Sequence, residues 1–215
     1  DHTTIEANLE ALINFNVDIP DMTTKGVFTF DAGTLVPVQA IIDQAKADDV
    51  KTLSLLYTDD AETKKSILPL IEALADQEGI EIANEVPVGT DIDGTAALTA
   101  AAPDEVDGIF ALLLSPAQCT PIGDAAQTLG VDIPVYSAEI CASQDLIETG
   151  SLDGWKFSLT NVGQLSPDTD PPEATLEFQR ILEEYSDGEP NLGGTAGFGF
   201  AHILAAADLY SKTGV

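Results

Sequence analysis

Apolar residues recur along this chain in two alternating rhythms, short unbroken runs and stripes at helical spacing, and that alternation predicts βα units. The clearest is DGIFALLLSPAQCTPIGDAAQTLGVDIPVYSAEIC, residues 107–141. GIFALLLS (108–115) is an unbroken apolar run ending at Ser-Pro, as expected of a parallel strand buried on both faces. Thr120 and Pro121 read as a helix N-cap and first helical residue. Ile122, Ala125, Ala126 and Leu129 follow at i, i+3, i+4 and i+7, so one stripe faces the sheet, and Gly130 ends the helix. IPVYS (133–137) is the return strand. Right-handed crossovers put both strand ends on one rim, so residues 115–119 and 138–141 are expected to be neighbours. Open α/β sheets bind their ligands at that carboxyl rim.

The same rhythm runs through the rest of the chain. Ile5, Leu9, Leu12 and Ile13 predict a helix over 4–16, closed by Val17 to Pro20, and GVFTF (26–30) reads as a strand. Thr34 is the candidate N-cap of a helix whose stripe is Val38, Ile41, Ile42 and Ala45. VKTLSLLY (50–57) is a strand, followed by a helix with Ile67, Leu70, Ile71 and Leu74, in which Pro69 must kink the helix or delay its start. IEIANEVPV (80–88) is the next strand and residues 92–102 the next helix. Strands alternating with helices of this length predict an α/β fold, a doubly wound parallel sheet. After Cys141 the pattern changes: SQDLIET (143–149) is a short helix stopped by Gly150, and GWKFSLT (154–160) is a strand outside the βα rhythm. NVGQLSPDTDPP is a polar connection. Asp170 to Glu173 then open a helix with Ala174, Phe178, Ile181, Leu182 and Tyr185 on its buried face, and a last helix runs from about Ala196 to Ser211.

Composition narrows the function classes. The 215 residues are 44 % apolar, which argues for a packed core. Against 37 acidic residues stand 8 basic ones, a net charge of −29 that repels nucleic-acid phosphates and anionic headgroups, so nucleic acid is not an expected partner. The acidity reads as a solvated surface, including the pairs Asp59-Asp60 and Glu183-Glu184, and no metal site is expected. No apolar run approaches the roughly 20 residues of a membrane helix, so no direct membrane insertion is expected, and the opening residues, Asp1 to Thr4, read as the approach to a helix and not as a signal-peptide pattern. Cys119 and Cys141 fall just past the ends of two strands predicted to be adjacent; that spacing favours a disulfide, with two reduced core thiols as the alternative. A bridge would place the chain outside the cytoplasm.

Enzyme motifs are missing. There is no G-x-S-x-G, G-x-G-x-x-G or G-x-x-x-x-G-K-[ST], and GGTAGFG (193–199) has the wrong spacing and no preceding strand. His2 and His202 join no zinc-spaced cluster and no nucleophile. No catalytic residue and no cofactor are assigned.

The order of elements from Gly26 to Gly214 resembles the type I periplasmic solute-binding proteins, in particular the branch serving branched-chain amino-acid ABC importers. VKTLSLLYTDDAETKKSI (50–67) is similar to the family's strand, Tyr-x-Asp-Asp turn and helix; AAQTLGVDIPVYSAE (125–139) to its helix, Leu-Gly, strand and acidic turn; and GFAHILAAADLYSKTG (199–214) to its closing helix. The resemblance implies two α/β lobes joined by crossovers and closing on a ligand. Residues 1–25 would end the amino-terminal lobe, residues 26–151 would hold the first crossover and the carboxyl-terminal lobe, and residues 152–215 would cross back. About a hundred residues of the first lobe, at ordinary domain sizes, would lie outside the sequence, through truncation or a reduced lobe. Glu139 occupies the family's place for a carboxylate that binds the ligand's ammonium group. Ser115, with Pro116 after it, matches a ligand-touching strand end. Tyr57 and Glu62, on either side of the Asp-Asp turn, are further ligand contacts that the resemblance implies, Glu62 standing near a family Tyr-Gly. Phe200 and Ala201 replace the closing Tyr-Asp.

The function implied is a periplasmic or extracellular receptor, lipid-anchored in its precursor, that delivers a small zwitterionic, amino-acid-like ligand to the membrane permease of an ABC importer, with hinges near residues 26–31 and 151–156. A ligand-sensing ectodomain of a membrane receptor is the alternative. A doubly wound enzyme for an anionic substrate ranks below both, because basic residues are scarce: Arg180 sits among acids, and Lys64-Lys65 is the one tight pair.

Overall fold

Residues 34–159 pack chiefly against themselves, as do residues 1–33 together with 160–215, so the chain forms two compact units. The structure is a computed structural model and describes residues 12–14, 25, 27–29, 34–142, 144–158, 173–185 and 196–213. In the discontinuous unit, β1 (Leu12–Asn14) pairs in parallel with β2 (Val27–Thr29), Leu12 opposite Val27. The strand at 27–29 agrees with the sequence, whereas Leu12–Asn14 overturns the helix expected there. Leu12 and Ile13 satisfy a helical stripe and a strand equally, and the pairing partner decides between them. The rest of that helix lies outside the described residues.

The continuous unit holds α1 (Leu35–Ala47), β3 (Thr52–Thr58), α2 (Leu68–Glu78), β4 (Glu81–Val88), α3 (Gly94–Ala101), β5 (Gly108–Leu112), α4 (Pro116–Leu129), β6 (Val135–Ala138), α5 (Gln144–Glu148) and β7 (Lys156–Ser158). Its five strands are all parallel, in the order β4-β3-β5-β6-β7. The chain winds outward from β3 to β4 and then returns to the other side of β3, so the winding reverses between β3 and β5.

Period-2 burial explains the layers. Leu53, Leu55 and Tyr57 of β3, with Phe110 and Leu112 of β5, pack under Val38, Ile41, Ile42 and Ala45 of α1 and Ile71 and Leu74 of α2. Leu56, Ile109, Ala111 and Leu113 point to the opposite face, against Leu98 of α3 and Ile122 and Ala125 of α4. Burying β3 and β5 on both faces is what makes β5 an unbroken apolar run and β3 nearly one, its buried Ser54 donating to the Ala101 carbonyl at 2.5 Å.

Local chemistry sets the helix ends. A π-helical turn, Thr63–Ile67, precedes α2 and leaves Pro69 in the first α-helical turn, the delayed start that proline demands. Gly130 closes α4 at φ 67°, as read from the sequence. The start of α4 differs from expectation: Ser115, in extended conformation, is the N-cap and Pro116 lies in the first turn, so Pro121 is inside the helix and Thr120 caps nothing. Helical geometry from residue 116 is what lets Gln118 and Cys119 reach their partners, offsetting an interior proline that costs about 3 kcal/mol. Leu129 is exposed at the helix end, where the stripe has run past the sheet.

β7 lies within residues 152–215, the segment that the resemblance implies crosses back to the other lobe. It pairs in parallel with β6, Ser137 opposite Phe157, and forms the edge of the sheet. The segment before it is tied down, because Ser151 Oγ donates to Asp124 of α4 at 2.5 Å. In the other unit, α6 (Glu173–Tyr185) buries Phe178 but exposes Tyr185, expected on the buried face, and α7 (Ala196–Thr213) exposes Ile203, Leu204 and Tyr210. The polar connection 161–172 and the loop at 188–195 lie outside the described residues.

Candidate functional site

Parallel strands all deliver their following loops to one rim, and the reversal between β3 and β5 sends the loop after β3 toward one face and the loop after β5 toward the other. The crevice this opens is the ordinary ligand position of such a sheet. Four loops meet around it, after β3, β4, β5 and β6.

After β3, the Asp59 amide donates to the Val88 carbonyl at 2.9 Å, holding the ends of β3 and β4 together. Asp60 turns the chain into the helix: one carboxyl oxygen accepts from the Glu62 and Thr63 amides at 2.9 Å each, and the other from the Thr63 hydroxyl at 2.6 Å. These bonds, the Thr63 hydroxyl first, hold the Asp60 carboxyl below the usual carboxylate range. Lys64 pairs with Asp59. Glu62 is exposed on this turn and accepts from the Ser66 hydroxyl at 2.6 Å. Tyr57, an expected ligand contact, is instead 7 % exposed and lies in the core layer under α1 and α2, where the period-2 pattern of β3 turns it.

The loop after β5 carries Leu114, half exposed, then Ser115 and the exposed Pro116. Ser115 Oγ accepts from the Ala117 amide at 3.3 Å, so the side chain is engaged as a cap while its hydroxyl proton remains able to donate. Gln118, one turn into α4, is 3 % exposed. Its Oε1 accepts from the Thr58 hydroxyl at 2.8 Å and the Leu114 amide at 3.1 Å. Its Nε2 donates to the Gly89 carbonyl at 3.1 Å and the Val88 carbonyl at 3.4 Å. Sequence reading passed over Gln118, because a glutamine in a helical pattern carries no motif; the polar position on a face otherwise filled by Cys119 and Ile122 was the available signal.

After β6, a 3-10 turn, Glu139–Cys141, begins at the half-buried Glu139. β5 and β6 are neighbours, Ala111 opposite Ser137, so the loops bearing Ser115 and Glu139 are adjacent. A disulfide joins them: Cys119 and Cys141, both fully buried, have Cα atoms 5.7 Å apart. The reduced-thiol alternative is thereby set aside. Ile140, 37 % exposed, and Leu114 are the exposed large apolar side chains of these two loops. The rim thus offers a hydroxyl, a carboxylate and apolar side chains within two stapled loops. That set can hold a small amphipathic molecule.

The amino-terminal rim differs. A depression of about 640 Å³ there is lined by Gln127, Asp132, Pro134, Asp153 and Trp155, with Asp48 taking bonds from Lys156 and the Tyr136 hydroxyl at 2.6 Å each. Among the described residues no His, Cys, Asp and Glu group is arranged to hold a metal, and no helix is long and apolar enough to cross a membrane.

The family model for periplasmic binding proteins matches residues 4–210. No curated protein sequence matches the chain. Among solved structures, a branched-chain amino-acid ABC transporter protein from Thermus thermophilus with bound valine superposes with TM-score 0.75 at 16 % identity, over 96 % of this chain and 54 % of that one. A leucine-binding protein from Thermotoga maritima gives 0.74 at 16 % identity, over 98 % and 60 %. A solute-binding protein from R. palustris in complex with 4-hydroxybenzoate gives 0.76 at 13 % identity, over 99 % and 58 %. At these identities the likeness establishes the fold. The chain spans somewhat more than half the length of each.

Proposed function

This chain belongs to the periplasmic binding protein family, whose members are binding proteins and not enzymes, and from that premise we propose that it captures a small amino-acid-like zwitterion at the carboxyl rim of its five-stranded sheet. The observation that carries the reading is the joining of the Ser115 and Glu139 loops by the Cys119–Cys141 disulfide beside the point where the sheet reverses its winding. Preorganising two loops before a ligand arrives lowers the ordering cost of binding. In this reading Glu139 receives the ammonium group through a charge-assisted bond, Ser115 donates to the carboxylate, and Leu114 and Ile140 meet the apolar part. Pro116 and Glu62 border the site. Valine and leucine relatives on the same fold support an amino-acid ligand. The family is extracytoplasmic, a buried disulfide fits an oxidising compartment, and the receptor would hand its ligand to a membrane permease.

Calorimetric titration with L-leucine, L-valine and 4-hydroxybenzoate tests this. An amino acid should give a saturable heat, and Glu139→Gln should weaken it at least tenfold, since a bond to a charged group contributes about 1.5–3 kcal/mol. Unchanged affinity in Glu139→Gln removes that residue from the site. Binding of 4-hydroxybenzoate alone, which has no ammonium group, overturns the zwitterion.

A further inference from the structure

We propose that Gln118 is the positioning residue of this rim, the side chain that fixes the loops after β3, β4 and β5 relative to one another. Its importance to ligand rests on the reading above; its role in ordering the loops does not. An amide has two acceptor lone pairs and two donor protons, and Gln118 uses all four: Thr58 and Leu114 on one side, Val88 and Gly89 on the other. Thr58 closes the network, because its hydroxyl donates to Gln118 while accepting from the Leu114 amide at 3.0 Å. At 3 % exposure, water replaces none of these bonds.

The three strand ends thus joined lie on both sides of the reversal point, where neighbouring loops diverge to opposite faces. Sheet hydrogen bonding does not extend to Leu114 or Gly89, which lie beyond the last paired residues, Leu112 and Val88. Gln118 supplies there what the ladder no longer does. The Leu114 amide, drawn inward, sets the peptide that leads into Ser115, and hence where Ser115 and Pro116 begin α4. Methionine at 118 would keep the volume and lose every one of these bonds. The Val88 carbonyl would retain the Asp59 amide. Gly89 would lose the amide, and Leu114 would keep only the Thr58 hydroxyl, itself released from Gln118, so the loosening should be confined to their loops.

Amide hydrogen exchange by NMR, on wild type, Gln118→Met and Thr58→Ser, decides the proposal. Gln118→Met should speed exchange of the Leu114 amide by about threefold or more, within the factor expected from one lost buried bond, because the Thr58 hydroxyl still accepts from it but is no longer held by Gln118. The Leu55 and Phe110 amides inside the sheet should keep their wild-type rates. Thr58→Ser, which retains the hydroxyl, should leave Leu114 protected. Equal acceleration of Leu55, Phe110 and Leu114 would mean that Gln118 only adds global stability, and no acceleration would mean that it positions nothing; either overturns the proposal. Calorimetry with L-leucine on the same variants adds a second reading: Gln118→Met should weaken binding at least fivefold and Thr58→Ser should not. Leucine affinity unchanged in Gln118→Met would overturn its importance to ligand, while the exchange pattern decides its role in ordering the loops. If wild type binds no leucine, the amino-acid reading fails, and the exchange pattern still decides the role of Gln118.

Discussion

Replacing Cys119 and Cys141 together by alanine removes the tie between the first turn of α4 and the turn after β6. The bridge spans a sequence separation of 22, and closing a loop of that size in the unfolded chain corresponds to about 3 kcal/mol. Both sulfurs are fully buried, in the cluster of Leu113, Ile122 and Leu152, so their removal leaves small voids worth a further ~1–2 kcal/mol. With a urea m-value of about 2 kcal/mol/M, the midpoint should fall by roughly 2 M. The assay is built into the protein: its one tryptophan, Trp155, packs against this same cluster, so its fluorescence follows the five-stranded unit. Wild type unfolded with and without a thiol reductant provides the parallel comparison, since reduction removes the same constraint from the unfolded chain. A double variant whose Trp155 transition moves by less than about 0.5 M would refute the reasoning, because neither the loop entropy nor the buried sulfurs would then contribute as computed.

Other consequences follow from packing and charge. A Cβ on Gly94 would meet the backbone carbonyl of Pro121, and one on Gly123 the backbone of Ser151, so Gly94→Ala and Gly123→Ala should each cost about 1–3 kcal/mol in urea unfolding, while Gly89→Ala, with open space around it, should stay near wild type. The carboxyls of Asp48, Asp60 and Asp107 sit below their ordinary values, through bonds led by Lys156, the Thr63 hydroxyl and the Lys51 amide respectively. Their contribution is present above the ordinary carboxylate value and is lost as pH falls through the lower folded values. Glu85 has the opposite sign: burial, then Glu72 beside it, push its carboxyl up, so stability is gained as pH falls from above that raised value toward the ordinary one. Thermal melting from neutral to acid pH should therefore rise before it falls, and Glu72→Gln should flatten the rise; a monotonic fall would contradict this. With a net charge of −29, self-repulsion should also be relieved by salt, raising the melting temperature as the Debye length shortens from about 10 Å at 0.1 M to 3 Å at 1 M.

Much of the sheet unit was readable from the sequence because burial there follows period. β3 and β5 are covered on both faces and show it as apolar runs, broken in β3 only by the buried Ser54, and the α1 stripe of Val38, Ile41, Ile42 and Ala45 is buried as spaced. Pro69 announced a delayed helix start, which the π-helical turn supplies. Periodicity fails where two local solutions are equally good. Ser115-Pro116 and Thr120-Pro121 carry the same cap signature, and only the partners of Gln118 and Cys119 choose the first. Leu12–Asn14 became a strand through a partner distant in sequence, and Leu129 and Tyr185 continue stripes beyond the surface that covers them. The neighbouring of the Ser115 and Glu139 loops followed from crossover handedness. The Gln118 network did not, because it joins four segments whose adjacency exists only once the sheet has formed.

The claim on which the account rests is that ligand meets this protein at the carboxyl ends of β5 and β6. Chemical-shift mapping of the protein titrated with L-leucine addresses it residue by residue. The account predicts saturable shifts concentrated at Leu114, Ser115, Glu139 and Ile140. Shifts concentrated at Asp132, Asp153 and Trp155, on the opposite rim, would contradict it.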